Sequence, residues 1–188
     1  MGNRENNSGT IRGFVIKSYK IIEGGMIRFL IMDVDGTLTD GKIYMGQNGE
    51  LFKAFDIKDG YGIKCILPQA NIIPVIITAR KSTIVENRGR EMGVAELYQG
   101  QMNKYEVLLQ VLRKYSDQDK RDYTLEDVAY IGDDLLDLQC MKPIKDAGGR
   151  VYCPNDAVDE VKAIADYIAG KNAGNGAVRE IINHILHV

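Results

Sequence analysis

Histidine is nearly absent from this chain, and the two that occur, His184 and His187, lie at the extreme C-terminus. A Ser-His-Asp centre or a histidine-phosphate mechanism therefore has no imidazole in the body of the sequence to work with. There is no G-x-x-x-x-G-K-[ST] segment, and no cysteine is followed six positions later by arginine, so neither a P-loop kinase nor a cysteine-arginine loop is present. The three cysteines, Cys65, Cys140 and Cys153, are odd in number and form no C-x-x-C. They argue for free thiols in a reducing compartment rather than for a disulfide framework. No apolar run approaches the roughly 18 residues that span a bilayer, and the polar start has no signal-peptide core, so a cytoplasmic protein is expected. A basic excess is missing too. With a net charge of -2 and a pI near 5.7, no positive field is available for nucleic acid or for an anionic membrane.

What is present suits one soluble α/β domain: 188 residues, 45% hydrophobic and 27% charged. The organising stretch is the apolar run Ile27 to Met32, which reads as a strand buried on both faces and ends in Asp33-Val-Asp35-Gly36-Thr37. Asp33 and Asp35 flank one residue, so an extended backbone points them the same way, and Gly36 permits a sharp turn. Two close carboxylates repel, and a metal ion or a shared proton relieves them. A plain strand-ending Asp-Gly turn is the bland alternative.

The remaining chain alternates strand and helix. Residues 1 to 25 read as a peripheral extension, with the domain proper over 26 to 188. A β-hairpin is expected around Gly46-Gln-Asn-Gly49, then a helix over Ile63 to Gln69, a strand over Ile72 to Ile77 and a helix over Lys81 to Met92. A strand at Glu96 to Gln99 precedes a helix that opens at Asn103-Lys104. Ser116 to Thr124 reads as a surface connection. Strands at Val128 to Ile131, Arg150 to Cys153 and Asp166 to Ile168, a helix over Asp156 to Ala165, a loop at Gly170 to Gly176 and a final helix over Ala177 to Leu186 complete the order. Such alternation implies a doubly wound, mostly parallel, Rossmann-like sheet with helices on both faces, a protruding hairpin and no cap domain.

A parallel sheet of this kind gathers Asp33, Asp35, Thr78, Lys104 and the Gly132-Asp133-Asp134-x-x-Asp137 run at one edge, where ligands bind in open α/β sheets. Hard carboxylate oxygens suit Mg²⁺, one aspartate can attack phosphorus, and Lys104, Thr78 and backbone N–H groups can hold the phosphoryl oxygens. Asp35 is left as acid and base. Singly, each residue has a structural reading: Thr78 as a helix cap, Lys104 as an exposed helix residue, Asp133 to Asp137 as a solvated helix start. Jointly they read as a phosphoryl-transfer site.

D-x-D-G-T followed in order by Thr78, Lys104 and G-D-D-x-x-D resembles the haloacid dehalogenase superfamily of phosphatases. Longer segments, Asp40 to Glu50, Phe55 to Ile63, Ile77 to Lys81, Tyr98 to Lys104 and Gly176 to Glu180, are similar to those of 3-deoxy-D-manno-octulosonate 8-phosphate phosphatases. The resemblance implies Asp33 as nucleophile, Asp35 as general acid and base, and Mg²⁺ on Asp33, the Asp35 carbonyl and Asp133, with Asp137 a supporting acid behind them. It implies substrate contacts at Asp56, Ile57, Lys58, Asp59, Gly60, Lys64, Arg80, Lys104 and a neighbouring subunit's Arg88, in a homotetramer with shared sites. The hairpin from Gly41 to Asp56, with Ile43, Tyr44, Leu51 and Phe55, is the expected contact between subunits. Two motifs depart from the family: Thr78-Ala79-Arg80 stands for T-G-R, and Gly174-Asn175-Gly176 for Gly-Arg-Gly. The rival sugar is a nine-carbon sialic-type acid 9-phosphate. The rival classes are a receiver domain, whose acids and phospho-acceptor come in a different order, and a non-catalytic oligomerisation module.

Overall fold

The computed structural model describes residues 27–187; the expected extension at 1–25 lies outside the described residues. In chain order the elements are β1 (Phe29–Met32), β2 (Tyr44–Gly46), β3 (Gly49–Phe52), α1 (Ile57–Tyr61), β4 (Ile73–Thr78), α2 (Thr83–Glu91), β5 (Glu96–Gln99), α3 (Lys104–Asp119), β6 (Val128–Ile131), α4 (Leu138–Asp146), β7 (Arg150–Cys153), α5 (Asp159–Lys162), β8 (Tyr167–Ile168) and α6 (Ala177–Leu186). Six strands form one sheet in the order β5-β4-β1-β6-β7-β8, and every pairing in it is parallel. β2 and β3 pair separately as an antiparallel hairpin.

The apolar run of β1 has no polar face because both of its faces are covered. Leu30 and Met32 point into a core shared with Ile63, Val85, Ile181 and Ile182, while Phe29 and Ile31 enter a second core with Val107, Leu108, Met141 and Val161. The period-2 alternation of a strand thus divides one hydrophobic stretch between two layers of helices. β1 sits between β4 and β6, so the chain beyond Met32 emerges at the middle of the sheet edge, flanked by the ends of both neighbours.

Several boundaries differ from the sequence expectation. The helix expected from Ile63 begins at Ile57, capped by Asp56, whose side chain accepts from the Lys58 N–H at 2.6 Å. It continues through a π-helical turn (Gly62–Ile66) and a 3₁₀ turn (Leu67–Ala70). Gly60 and Gly62 conceal this helix from propensity reasoning, yet each is pressed close by a neighbour: a Cβ on Gly62 would stand 2.9 Å from Ile182 Cδ1. The supposed surface connection at Ser116 is helical as far as Asp119, where α3 ends at left-handed Lys120 (φ 53°). The sequence offers α4 only as a helix start at Asp133 to Asp137; the helix itself runs Leu138–Asp146 with Pro143 inside it. Conversely, the helix expected over Asp156 to Ala165 shrinks to Asp159–Lys162, and the one expected from Lys81 starts at Thr83 with Ser82 as its cap.

Candidate active site

Where β1 ends, the Asp33 N–H donates to the Ile131 carbonyl at 3.1 Å, which extends the β1–β6 pairing one step and brings Asp33 beside the start of the Asp133 loop. Gly36 (φ +90°) turns the chain here. A Cβ on it would fall 2.0 Å from Asp133 Oδ2, so a side chain at 36 would displace the carboxylate. Thr37 then donates its hydroxyl to Asp133 Oδ1 at 2.8 Å. The register that pairs Met32 with Ile76 carries Thr78, the buried last residue of β4, to the level of this turn.

Lys104 is the first residue of α3 and is fully buried. Its ammonium lies 3.0 Å from Asp33 Oδ2 and 2.7 Å from Asp137 Oδ1. Asp137 is equally buried and is the most heavily engaged acid of the site. Its Oδ1 also accepts from the Tyr130 hydroxyl at 2.8 Å, and its Oδ2 accepts from the N–H groups of Asp133 at 3.0 Å and Asp134 at 3.3 Å. An ionised carboxylate has about four acceptor positions, and here all are occupied.

Asp33, Asp133 and Asp137 can each offer an oxygen such that the three lie within 4.8 Å of one another. Because Asp137 is saturated, the oxygens left for a cation belong to Asp33 and Asp133. Asp33 Oδ1 is buried and has no hydrogen-bond partner. Burial, reinforced by the Asp137 charge and opposed by Lys104, pushes the Asp33 carboxyl up to about 6. Burial and the same Asp137 charge push Asp133 up to about 8, against the Thr37 hydrogen bond. An orphaned carboxylate oxygen beside a second destabilised carboxylate suits a hard divalent cation, and an all-oxygen donor set suits Mg²⁺.

The carboxylate of Asp35 makes its ion pairs with the hairpin and the loop after β4. Its Oδ1 is ion-paired with Lys53, and its Oδ2 lies 3.7 Å from Arg80 Nε. Asp56 to Gly60, Lys64 and Arg88 form a separate group. The Arg179 N–H at the start of α6 donates to Asp59 Oδ1 at 2.7 Å. Arg88 lies against Gly60, where a Cβ would come within 2.4 Å of its Nη2, and its guanidinium stands 5.8 Å from the Phe55 ring centroid. Among the described residues no ion pair or side-chain hydrogen bond joins this group to Asp33, Thr78 or Lys104.

Residues 65–181 match the family model of the haloacid dehalogenase-like hydrolases, more than half of the chain. The chain belongs to that family. This hydrolase is 42% identical over 171 residues to the 3-deoxy-D-manno-octulosonate 8-phosphate phosphatase KdsC of Salmonella typhi, covering 91% of this chain and 85% of the relative. Against the Escherichia coli K12 enzyme of the same name it is 44% identical over 160 residues, covering 85% and 79%. A solved structure of the Moraxella catarrhalis phosphatase, in complex with magnesium, phosphate and KDO, matches with a TM-score of 0.75 at 39% identity, covering 86% of each chain. The cobalt-bound Haemophilus influenzae phosphatase matches at 0.73 and 35%, covering 86% of this chain and 88% of that one. With these relatives, this haloacid dehalogenase-like hydrolase is a phosphatase.

Three residues that contact the proposed site acids escape sequence reasoning about this hydrolase, Thr37, Lys53 and Tyr130, and a fourth, Glu50, reaches Asp35 through Lys53. Thr37 stands inside the quoted motif without a role, and Tyr130 reads as plain core. Lys53 had one signal, a lone cation in the otherwise apolar Leu51-Phe-Lys-Ala-Phe55.

Asp59 supports a stability prediction. Its Oδ2 is buried without a partner, and burial raises its carboxyl to about 6, with Asp56 adding to the shift and the Arg179 N–H opposing it. Because the folded value exceeds the unfolded one, the folded state binds the proton more tightly, and stability is lost as pH rises from about 4 through about 6. Asp59→Asn keeps an acceptor for Arg179 and removes the buried charge. Thermal unfolding should place the variant at or above the wild type at pH 7.5, with the difference falling to zero near pH 4. A variant less stable than wild type at pH 7.5 would contradict this.

Proposed function

We propose that this phosphatase hydrolyses 3-deoxy-D-manno-octulosonate 8-phosphate, with Mg²⁺, through a phosphoryl group carried on Asp33. The observation that carries the reading is the buried Lys104 ammonium against Asp33, beside an Asp33 oxygen that no protein group satisfies. A carboxylate so placed is fixed in direction and keeps one oxygen free. The substrate follows from relatives of that name at 42% and 44% identity.

In the first step an Asp33 oxygen forms a bond to phosphorus while the bond from phosphorus to the sugar's terminal oxygen breaks, and Asp35 gives its proton to the departing alkoxide. In the second, Asp35 takes a proton from water, the water oxygen bonds to phosphorus, and the Asp33–phosphorus bond breaks to free phosphate. Mg²⁺, held by the carboxylates of Asp33 and Asp133 and the Asp35 carbonyl, would neutralise phosphoryl charge. Lys104 and the Thr78 hydroxyl hold the phosphoryl oxygens, and Asp137 aims Lys104. Asp56 to Gly60, Lys64, Arg80 and the partner subunit's Arg88 would receive the sugar and its carboxylate.

A homotetramer is part of the same proposal. The hairpin exposes Ile43, Met45, Leu51 and Phe52, an apolar face that a second subunit would cover. Phe55, expected on that face, packs instead against the core beneath the sheet. No helix among the described residues is long and apolar enough to cross a membrane.

The test is phosphate release from eight- and nine-carbon sugar-acid phosphates. Turnover should favour the eight-carbon acid, fall to background after chelation, and return with added Mg²⁺. A higher kcat/KM for the nine-carbon acid would reassign the sugar. Undiminished turnover in metal-free buffer with chelator would remove the metal.

A further inference from the structure

We propose that Lys53 is a positioning residue for the proton-transfer step: it pins Oδ1 of Asp35 and so presents Oδ2 to the leaving oxygen. The inference rests on Asp35 being the acid and base of the reading above.

Lys53 is out of place by ordinary rules. It follows Phe52, which is 51% exposed, on a hairpin whose apolar residues face solvent, yet Lys53 itself is 8% exposed. Lysine keeps its ammonium in water unless something compensates its burial. Here the compensation is a pair of acids. The ammonium contacts Asp35 Oδ1 and lies 2.9 Å from Glu50 Oε1. Glu50 is anchored in turn, since the Ser82 hydroxyl donates to its Oε2 at 2.7 Å and Arg80 Nη2 lies 3.4 Å from its Oε1. Arg80 also stands 3.7 Å from Asp35 Oδ2. Two cations and two carboxylates alternate in a ring that ties the base of the hairpin to the turn after β1 and the loop after β4.

The two cations differ in freedom. The Lys53 side chain is 1% exposed, whereas that of Arg80 is 42% exposed. Arg80 is long, accessible and only loosely placed on Oδ2, so it can leave for an anionic group of the substrate. Lys53 cannot leave without exposing two acids. It therefore holds Asp35 by one oxygen while the other is freed for chemistry, a rotamer lock of the kind that proton transfer at hydrogen-bond distance requires. Glu50, held by Ser82, keeps the lysine in place.

The leaving group supplies the test. Loss of a sugar alkoxide needs a proton from Asp35, whereas p-nitrophenolate departs unprotonated. With Mg²⁺ present, Lys53→Met should reduce kcat/KM, which reports only the steps through loss of the leaving group, on the octulosonate phosphate on the order of 10²-fold, the range of a displaced general acid, while kcat/KM on p-nitrophenyl phosphate falls less than about threefold. Lys53→Arg, which keeps the cation, should recover most of the loss. The ratio of the two rates within one sample is independent of the fraction folded, so partial unfolding of Lys53→Met does not obscure it. Equal losses of kcat/KM on both esters, or no loss on either, overturn the role of Lys53 while leaving the phosphatase reading intact. Wild-type protein that releases phosphate from neither ester overturns both.

Discussion

Asp33→Asn should lose phosphatase turnover on the order of 10⁴-fold or more, the scale reached when a nucleophile is removed from a site that otherwise still binds. The amide oxygen is a poor nucleophile, and the amide removes a charge that the metal would meet. The fold should survive. Lys104 keeps its 2.7 Å contact with Asp137, the main-chain bond from residue 33 to Ile131 does not involve the side chain, and a neutral amide is cheaper to bury than a carboxylate. Circular dichroism and thermal unfolding check the fold, and phosphate release under single-turnover conditions checks the chemistry. Substantial turnover, once deamidation and carry-over of wild-type protein are ruled out, would sink the aspartyl mechanism.

Asp137→Ala should damage the fold as well as the activity. It strips the buried Lys104 of the nearer of its two counter-charges, leaves the Tyr130 hydroxyl without its acceptor, and orphans the N–H groups of Asp133 and Asp134. Removing one partner from a buried ion pair costs about 3–5 kcal/mol. For a domain of this size, that corresponds to a melting point lower by about 10 °C. Activity should fall too, because Lys104 is then aimed by Asp33 alone and the loop carrying Asp133 loses its anchor. Asp137→Asn should fall between the two, since its amide turns a donor toward groups that are themselves donors. A melting point for Asp137→Ala within about 2 °C of wild type would show that this network does not hold the site together.

The central sheet is legible in the sequence because it leaves a one-dimensional signature. An apolar run that breaks off at acids, at β1 and again at β6, marks strands buried on both faces and the edge at which they stop. The order of Asp33, Thr78, Lys104 and Asp133 along the chain, with strand and helix alternating between them, is enough to gather them once the sheet is parallel. Helix α1 is hidden because its glycines are chosen for what they pack against, and propensity cannot register a neighbour 120 positions away such as Arg179, whose N–H meets Asp59. The same holds for Lys53. The apolar neighbours of Lys53 mark it as unusual, but they do not announce that it turns inward, since its reason is a carboxylate on another element. Asp137 is visible as an acid in a motif, but its four donors come from α3, β6 and its own loop, so its saturation is a three-dimensional fact.

The central place of β1 in the sheet has a consequence for synthesis. Its partners β4 and β6 come later in the chain, and the acids that complete the site with Asp33 end with Asp137. A ribosome adding about 5–20 residues per second delivers Asp137, about a hundred residues downstream, roughly 5 to 20 s after Asp33. Throughout that interval Phe29–Met32 is an apolar strand with an unmatched edge, the kind of segment that chaperones hold and that pairs wrongly at high concentration. The nascent enzyme should stay inert until β6 docks, and mutations that slow the docking should appear first as lower yield of folded protein from cells, before any change in the rate constant of the molecules that do fold.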